Sequence, residues 1–541
     1  MGACRRASRT DSFRVAAIDT RFCQQCGSHV RVLAVARAGV AIFVSVWFAL
    51  LMGCARTSLF VPYSSQADGI RRRVRATEEL DLERLYAREL VGRDRLLYLL
   101  ERGRIAQIQG ERSLSMTDYD NVWEEARLLE ERPVLTATGA AAQSSVVVLN
   151  DNALPYRPAG YERVMRSHFQ MLNFLLSGDL EGAGVEARRA SAEQRDAEKR
   201  HDREVAAVNG SGFGGLKEEG HHSPDLDVRY RRTDVIAQGT EQSWMSASTF
   251  YLSGLVFELL GQDSDAYIDY TKAAALAPRC STARGDAVRL AHRLGVVDDL
   301  RSRLGAPAED KRNVLTCGEG EGWLVVLFDE DFVPVRQEVS LPIPLPGEDT
   351  WLMVSLPTYQ EMPPPSEPLL VIANGTNLGE TEPLGSASGL AGRALREELP
   401  RRIVRHVLRT TAKGVAAKAA QDRYGWAGGV ALGILDTLTE RADLRSWTTL
   451  PGWTQLLRSG VPVGRQSLRF GHGNATRQVQ VEVSEGGTTF VYVARVGDTF
   501  RVDVTHRHRT GLMGVSAPVI PGAFPRPLAP AGAEGKDSGD E

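Results

Sequence analysis

Excess positive charge, catalytic motifs, long apolar runs and cysteine are all in short supply in this sequence, and each shortage excludes something. Sixty-five Lys and Arg against 68 Asp and Glu leave a net charge of −3 at pH 7. No global basic field is available to hold nucleic acid, and that partner class is set aside. The ten histidines are scattered, and no GxSxG, HExxH, Walker A or GxGxxG-after-strand pattern occurs. No enzyme is therefore expected, and no catalytic residue, cofactor or metal ligand is assigned. No apolar run reaches the roughly 20 residues of an ordinary membrane-spanning helix. What is present is ordinary for a folded protein: 43% hydrophobic and 25% charged residues predict that most of the chain folds. At 541 residues it is too long for one hydrophobic core, so two or more domains are expected.

The six cysteines sort by position. Arg31 and Arg37 form a positive flank before Gly39–Met52, an uncharged and mostly apolar stretch of 14 residues, the length of an export-signal core. It ends in Leu51-Met52-Gly53-Cys54, which resembles the bacterial lipobox. A small residue fits beside the cleaved bond, and the cysteine thiol carries diacylglycerol. This predicts a leader and lipoprotein signal peptide over 1–53, lipidation of Cys54 and a linker over 54–75. The alternative is an uncleaved N-terminal anchor. Each buried CH₂ of the acyl chains contributes about 0.8 kcal/mol to anchoring. Ala55, in place of aspartate, predicts passage to the outer membrane, on its periplasmic face. Residues 1–29 are long for a leader and read as a mis-called start, with translation beginning near Val30 or Val32. The Cys23–Cys26 pair there is one CxxC without a second, a weak zinc signal. The mature chain then keeps Cys280 and Cys317, which in an oxidising compartment form either a disulfide or two unrelated buried thiols.

Residues 76–310 read as helices. Leu80, Leu85, Leu90, Leu96, Leu97, Leu100, Ile105 and Ile108 recur at helical spacing. After Gly110 the pattern continues through Tyr119, Val122, Trp123 and Ala126, and it returns at Tyr161–Glu198 around Gly178. The clearest copy, Phe250 to Pro278, looks like a tetratricopeptide (TPR) repeat. In it Gly254 and Ala266 let two antiparallel helices approach, Phe257 and Tyr270 fill the space between them, Gly261 permits the turn and Pro278 stops the second helix. Phe250 and Ala273 complete the packing set. Residues 137–160 break the helical pattern, and 207–232 read as a Gly-rich polar loop. His221, His222, Asp225 and Asp227 lie in that loop without needing a metal to explain them.

Beyond residue 315 the period changes. Trp323–Phe328, Val335–Leu341, Trp351–Leu356 and Leu369–Ala373 are short β-rich runs between prolines and glycines. Ser467–Phe470, Gln478–Val483 and Thr488–Val493 continue them, with Glu485-Gly486-Gly487 read as a hairpin turn and one face of each strand wet. A helical insert spans about 387–440. It holds a basic amphipathic stretch, Arg393–Lys418, and an apolar run of about ten residues, Trp426–Leu435, which is half the length needed to span a bilayer. Asp329-Glu330-Asp331 reads as a solvated acidic turn. Asp443, Arg445 and Trp447 are expected first as a structural pair with an aromatic, holding the insert against the strands, and otherwise as a binding patch. Residues 517–541 read as a disordered tail.

The expected fold class is α+β: an N-terminal TPR-like helical hairpin region over 76–310, then a β-rich C-terminal domain over 315–510 containing a helical insert. Four segments carry a wider resemblance: Asp94–Gly103; Asn150-Asp151-Asn152 with Pro155-Tyr156 and Tyr161-Glu162; Phe250–Pro278; and Ala442–Trp447 before Leu450-Pro451. On these the chain resembles an uncharacterised family of bacterial envelope lipoproteins with tetratricopeptide-like repeats. The resemblance implies surface anchoring and this layout, and supplies no catalytic residues. The function expected is a membrane-anchored scaffold for a protein or peptide partner, in envelope assembly or cell-wall machinery. Two alternatives stand beside it: a structural or transport-complex lipoprotein subunit with membrane contact, and an unrecognised envelope enzyme such as a wall hydrolase.

Overall fold

The strand β1 (Glu321–Phe332) is buried on both sides, and the fold follows from that. Side chains of a strand alternate between faces. Leu324, Val326 and Phe328 enter one hydrophobic cluster, while Val325 and Leu327 enter another that also holds the helices. The structure, a computed structural model, describes residues 63–131, 152, 154–210, 224–305, 315–344, 351–424, 441–508 and 511–515. All fall within one compact unit, Val61–Glu541. Cys54, the leader and the tail at 517–541 lie outside the described residues.

Helices fill the N-terminal half: α1 (Tyr63–Arg75), α2 (Arg95–Gln109), α3 (Arg112–Glu131), α4 (Gly160–Leu176), α5 (Leu180–Gly210), α6 (Pro224–Ala237), α7 (Ala247–Leu259), α8 (Asp263–Leu276), α9 (Ser281–Leu294) and α10 (Val297–Leu304). Three pairs, α2/α3, α4/α5 and α7/α8, are hairpins closed by Gly110, Gly178 and Gly261, each with positive φ (93°, 82° and 77°). Side-chain fit repeats with the turn. A Cβ on Gly254 would stand 2.7 Å from the Tyr270 ring, and one on Gly103 would stand 2.8 Å from the Tyr119 ring. Each glycine lies seven residues before its turn and sixteen before its tyrosine. In the middle hairpin the same positions hold Met171 and Ala187, both fully buried, so the large residue has changed helix. Phe250, Phe257, Ala266 and Ala273 are buried, and Pro278 follows the end of α8.

The described strands form three sheets. The largest has the order β12-β11-β10-β1-β7-β6, where β6 is Glu382–Gly385, β7 Pro451–Pro462, β10 Thr488–Val496, β11 Thr499–His508 and β12 Gly511–Val515. Its one parallel pair is β1 with β10. A second has the order β5-β4-β8-β9, from Thr376–Glu380, Leu370–Ala373, Gly464–His472 and Ala475–Val483. The third pairs β2 (Gln337–Pro344) with β3 (Trp351–Thr358). Between β6 and β7 lies the long helix α11 (Ala387–Tyr424), packed against α6.

Several expectations change. The helical and β regions do not keep separate cores, because β1, β7 and β10 turn their second apolar face to the helices: Leu456, Phe490 and Tyr492 share a cluster with Leu97, Phe169 and Leu255. For the same reason β10 has no wet face. Glu485-Gly486-Gly487 is not a hairpin turn, since β9 and β10 belong to different sheets. The turn is held instead on the start of β1 by Gly486 N to Glu321 O and Trp323 N to Gly487 O. Asp329 and Glu330 are buried strand residues rather than a solvated turn. From Tyr63 the expected linker is helix, with Tyr63, Ala67, Arg71 and Val74 buried. Residues 76–94 are mostly turns with one 3₁₀ turn, Glu89–Val91. Positive φ at Thr77 and Tyr86 interrupts the helix there, while Leu80 and Leu85 still bury against Val74 and Ile105. The loop expected at 207–232 is helical at both ends, and α6 opens on Pro224, whose missing N–H suits a first turn. Asp225 and Asp227 sit in that turn; His221 and His222 lie outside the described residues. So does the apolar run Trp426–Leu435. Among the described residues no helix is long and apolar enough to cross a membrane.

Candidate functional site

The first helices of the three hairpins are α2, α4 and α7. Residues 445–448 of the same chain pack on α2, α3 and α4, and Arg458 of β7 reaches α7. Trp447 is fully buried, its ring set 5.8 Å from both Tyr119 of α3 and Phe169 of α4. Its backbone N–H donates to Glu162 Oε1 at 2.8 Å, and its indole N–H to Thr449. The N–H and hydroxyl of Thr448 both donate to Glu101 Oε1, at 2.6 and 2.8 Å. Both carboxylates come from the first helices of hairpins, Glu101 from α2 and Glu162 from α4.

Asp443 and Arg445 form the pair expected of them. Arg445 Nε and Nη2 donate to the two Asp443 oxygens, each at 2.9 Å. The same guanidinium reaches Asp94 Oδ1 at 2.6 Å and the Leu154 carbonyl at 2.9 Å. Burial works against both charges, yet their mutual bonds keep Asp443 below the usual carboxylate range and Arg445 above its ordinary value. Asn152 donates to the Ala442 carbonyl, and Tyr156 N–H to Asp94. Asp94, Asn152–Tyr156 and Ala442–Arg445 therefore meet at one place, though 351 residues separate Asp94 from Arg445. Phe250–Pro278 forms the third hairpin, away from this meeting point.

Further along, two ionic knots fix the sheet to the helices. Arg104 of α2 reaches Asp329 of β1 at 3.1 Å and the Tyr492 hydroxyl at 2.8 Å, with its guanidinium 4.2 Å from the Phe169 ring centroid. Tyr492 and Thr454 donate to the two Asp329 oxygens at 2.7 Å. Burial pushes the Asp329 carboxyl up, and Arg104 opposes it. Arg458 of β7 reaches Glu258 of α7 at 3.0 Å and Asp286 of α9 at 2.9 Å. Burial disfavours the Glu258 charge, but Arg458 and Arg289 hold its pKa well below the usual range. Neither knot is marked by a local sequence pattern. The only signal was an acid within an apolar strand, as at Asp329, and its partner lies 225 residues away.

The cysteines and the surface complete the inventory. Cys280 and Cys317 are free thiols, so the disulfide alternative is not realised. Cys280 is buried, with Sγ 3.8 Å from Glu382 Oε2, and burial pushes its thiol up to about 12. On the outer side of the first two hairpins a cavity of about 490 Å³ is lined by Asp120, Trp123, Phe174, Val185, Glu186 and Arg189, among others. Arg189 and the buried Arg166 lie 4.8 and 5.3 Å from the Trp123 ring centroid. Comparison with family models, with curated proteins and with solved structures gives no match.

Proposed function

We propose that this chain is a lipid-anchored envelope protein, held by Cys54, whose tetratricopeptide-like hairpins serve as a scaffold with its inner face closed by its own residues 441–462. The observation that carries the reading is the recurrence of one hairpin design, with the turn glycine seven residues after Gly103 and Gly254 and a tyrosine sixteen residues after each. With the inner face closed, the protein or peptide partner binds on the outer side, at the cavity beside Trp123. Val185 is 46% exposed there. Asp120 and Glu186 are already paired there with Arg166 and Arg189, so Trp123, Phe174 and Val185 are what the cavity offers, which fits a partner segment with an apolar anchor.

Site-specific photo-crosslinking in the intact envelope tests this. A crosslinker at position 185 should capture one specific protein, while the same group at Met353, an exposed position on β3, should not. Capture of nothing specific from position 185 in the anchored form overturns the scaffold reading. For the anchor, Cys54→Ser should abolish lipid labelling, and labelling that persists overturns it.

A further inference from the structure

β1 continues its alternation past the apolar residues: after Leu324, Val326 and Phe328, the next side chain toward the small sheet is Glu330, 8% exposed. Opposite it stands His472, the last residue of β8, 3% exposed and edge-on to the Phe328 ring at 5.3 Å. His472 Nε2 lies 2.8 Å from Glu330 Oε1. The other Glu330 oxygen is fixed by the Glu367 backbone N–H and by Gln455 Nε2, each at 3.1 Å. A carboxylate locked in this way accepts from Nε2–H, so the neutral imidazole carries its lone pair on Nδ1. Nδ1 is buried without a hydrogen-bond partner among the described groups. It faces Glu367 Oε2 at 3.9 Å. Two acceptors thus look at each other across a gap too long for a direct hydrogen bond.

We propose that His472, Glu367 and Glu330 form a divalent transition-metal site of the zinc class, with His472 Nδ1 and the Glu367 carboxylate as ligands and Glu330 as the group that orients the imidazole. Two bonds of about 2.0–2.2 Å at a tetrahedral angle hold their donor atoms about 3.4 Å apart, so the Glu367 arm closes the gap by about half an ångström to complete the pair. The donation of the second ring N–H to a carboxylate is the usual support of a metal-bound histidine. All three residues offer ligand atoms within 4.8 Å of one another. The Glu367 side chain is 65% exposed, so it adjusts freely and leaves the remaining coordination positions to water. An N/O donor set of one imidazole and one carboxylate suits Zn²⁺, Mn²⁺ or Fe²⁺ rather than a thiolate-seeking ion. The site ties the segment before β4 to the end of β8, and it lies on the opposite face of the central sheet from the helices.

The test is Zn²⁺ titration of the chelator-treated full chain, followed by calorimetry and by metal content after dialysis, with Co²⁺ absorption as the coordination readout. Wild type should retain one equivalent more than either Glu367→Gln or His472→Asn, and should show a Co²⁺ d–d band that both variants lose. Glu367→Gln alters an exposed side chain and leaves the fold in place, so loss of binding there does not reduce to unfolding. Equal retention in wild type and Glu367→Gln, or a Co²⁺ spectrum that the substitution leaves unchanged, overturns the assignment.

Discussion

The backbone N–H of Trp447 meets Glu162 Oε1 at 2.8 Å across 285 residues of chain. The other oxygen of that carboxylate accepts from the Ala159 N–H, which opens α4, and from the Tyr156 hydroxyl. Burial pushes the Glu162 carboxyl up, opposed by Arg336 and by the Trp447 N–H. One acid therefore caps a helix and holds an extended segment at once. Because the segment is part of the chain, its docking is intramolecular and avoids the association entropy that a separate peptide would lose.

Removing the Trp447 side chain should be among the most damaging single changes. Trp447→Ala leaves a void between Tyr119 and Phe169, and a cost of about 3–5 kcal/mol is expected in urea unfolding. A loss below 1 kcal/mol would show that the ring is not packed as described.

The Arg104–Asp329 contact is fully enclosed, so removing one partner strands the other. Asp329→Ala should cost about 3–5 kcal/mol, while a paired replacement of both residues by apolar side chains of similar volume should recover much of that loss. A double-mutant cycle reads the coupling directly.

Three glycine-to-alanine changes should differ in sign. Gly254→Ala and Gly103→Ala drive a methyl into Tyr270 and Tyr119, and overpacking of this kind costs about 1–3 kcal/mol. Gly69 in α1 has open space around it, so Gly69→Ala should stabilise by about 0.5–1 kcal/mol through helix propensity. Thermal unfolding of the three variants checks the contrast.

Two buried groups should give opposite pH dependences. Burial, with Arg104 nearby, takes His168 down to about 3. The unfolded chain then takes up the proton first, so the stabilisation is complete above about pH 6.5 and declines as pH falls toward 3. His168→Gln should lower the slope of stability against pH in that window by about one proton. Burial raises Asp269 to about 6 despite Lys272, so its contribution is present below about pH 3.9 and lost as pH rises through 6. Asp269→Asn should therefore raise stability at pH 7–8, on the order of 1–3 kcal/mol. No gain at pH 8 would contradict that assignment.

How far the sequence reads ahead depends on the range of the forces involved. The third hairpin was legible from Phe250 to Pro278 because close packing of Gly254 on Tyr270 is a local matter of spacing. The Asp443–Arg445 pair was legible because its partners stand two residues apart. Residues 76–94 were misread as helix, since leucine spacing does not register the positive φ of Thr77 and Tyr86. The acidic run at 329–331 was misread because its three members go to three distant partners: Arg104, His472 and, for Asp331, Arg75 at 2.8 Å. The closed inner face was out of reach for the same reason. The Trp447–Glu162 and Arg445–Asp94 contacts join residues 285 and 351 positions apart, and no local pattern marks them.

The most direct test of the closed inner face is native-state hydrogen exchange at the Trp447 and Thr448 amides of the full chain. Both donate to buried carboxylates, so both should exchange only through global unfolding, with protection equal to that of the central strand β1 and falling with it as denaturant is raised. Exchange at the rate of an exposed loop, while β1 stays protected, would show residues 441–450 leaving the groove and would contradict the account.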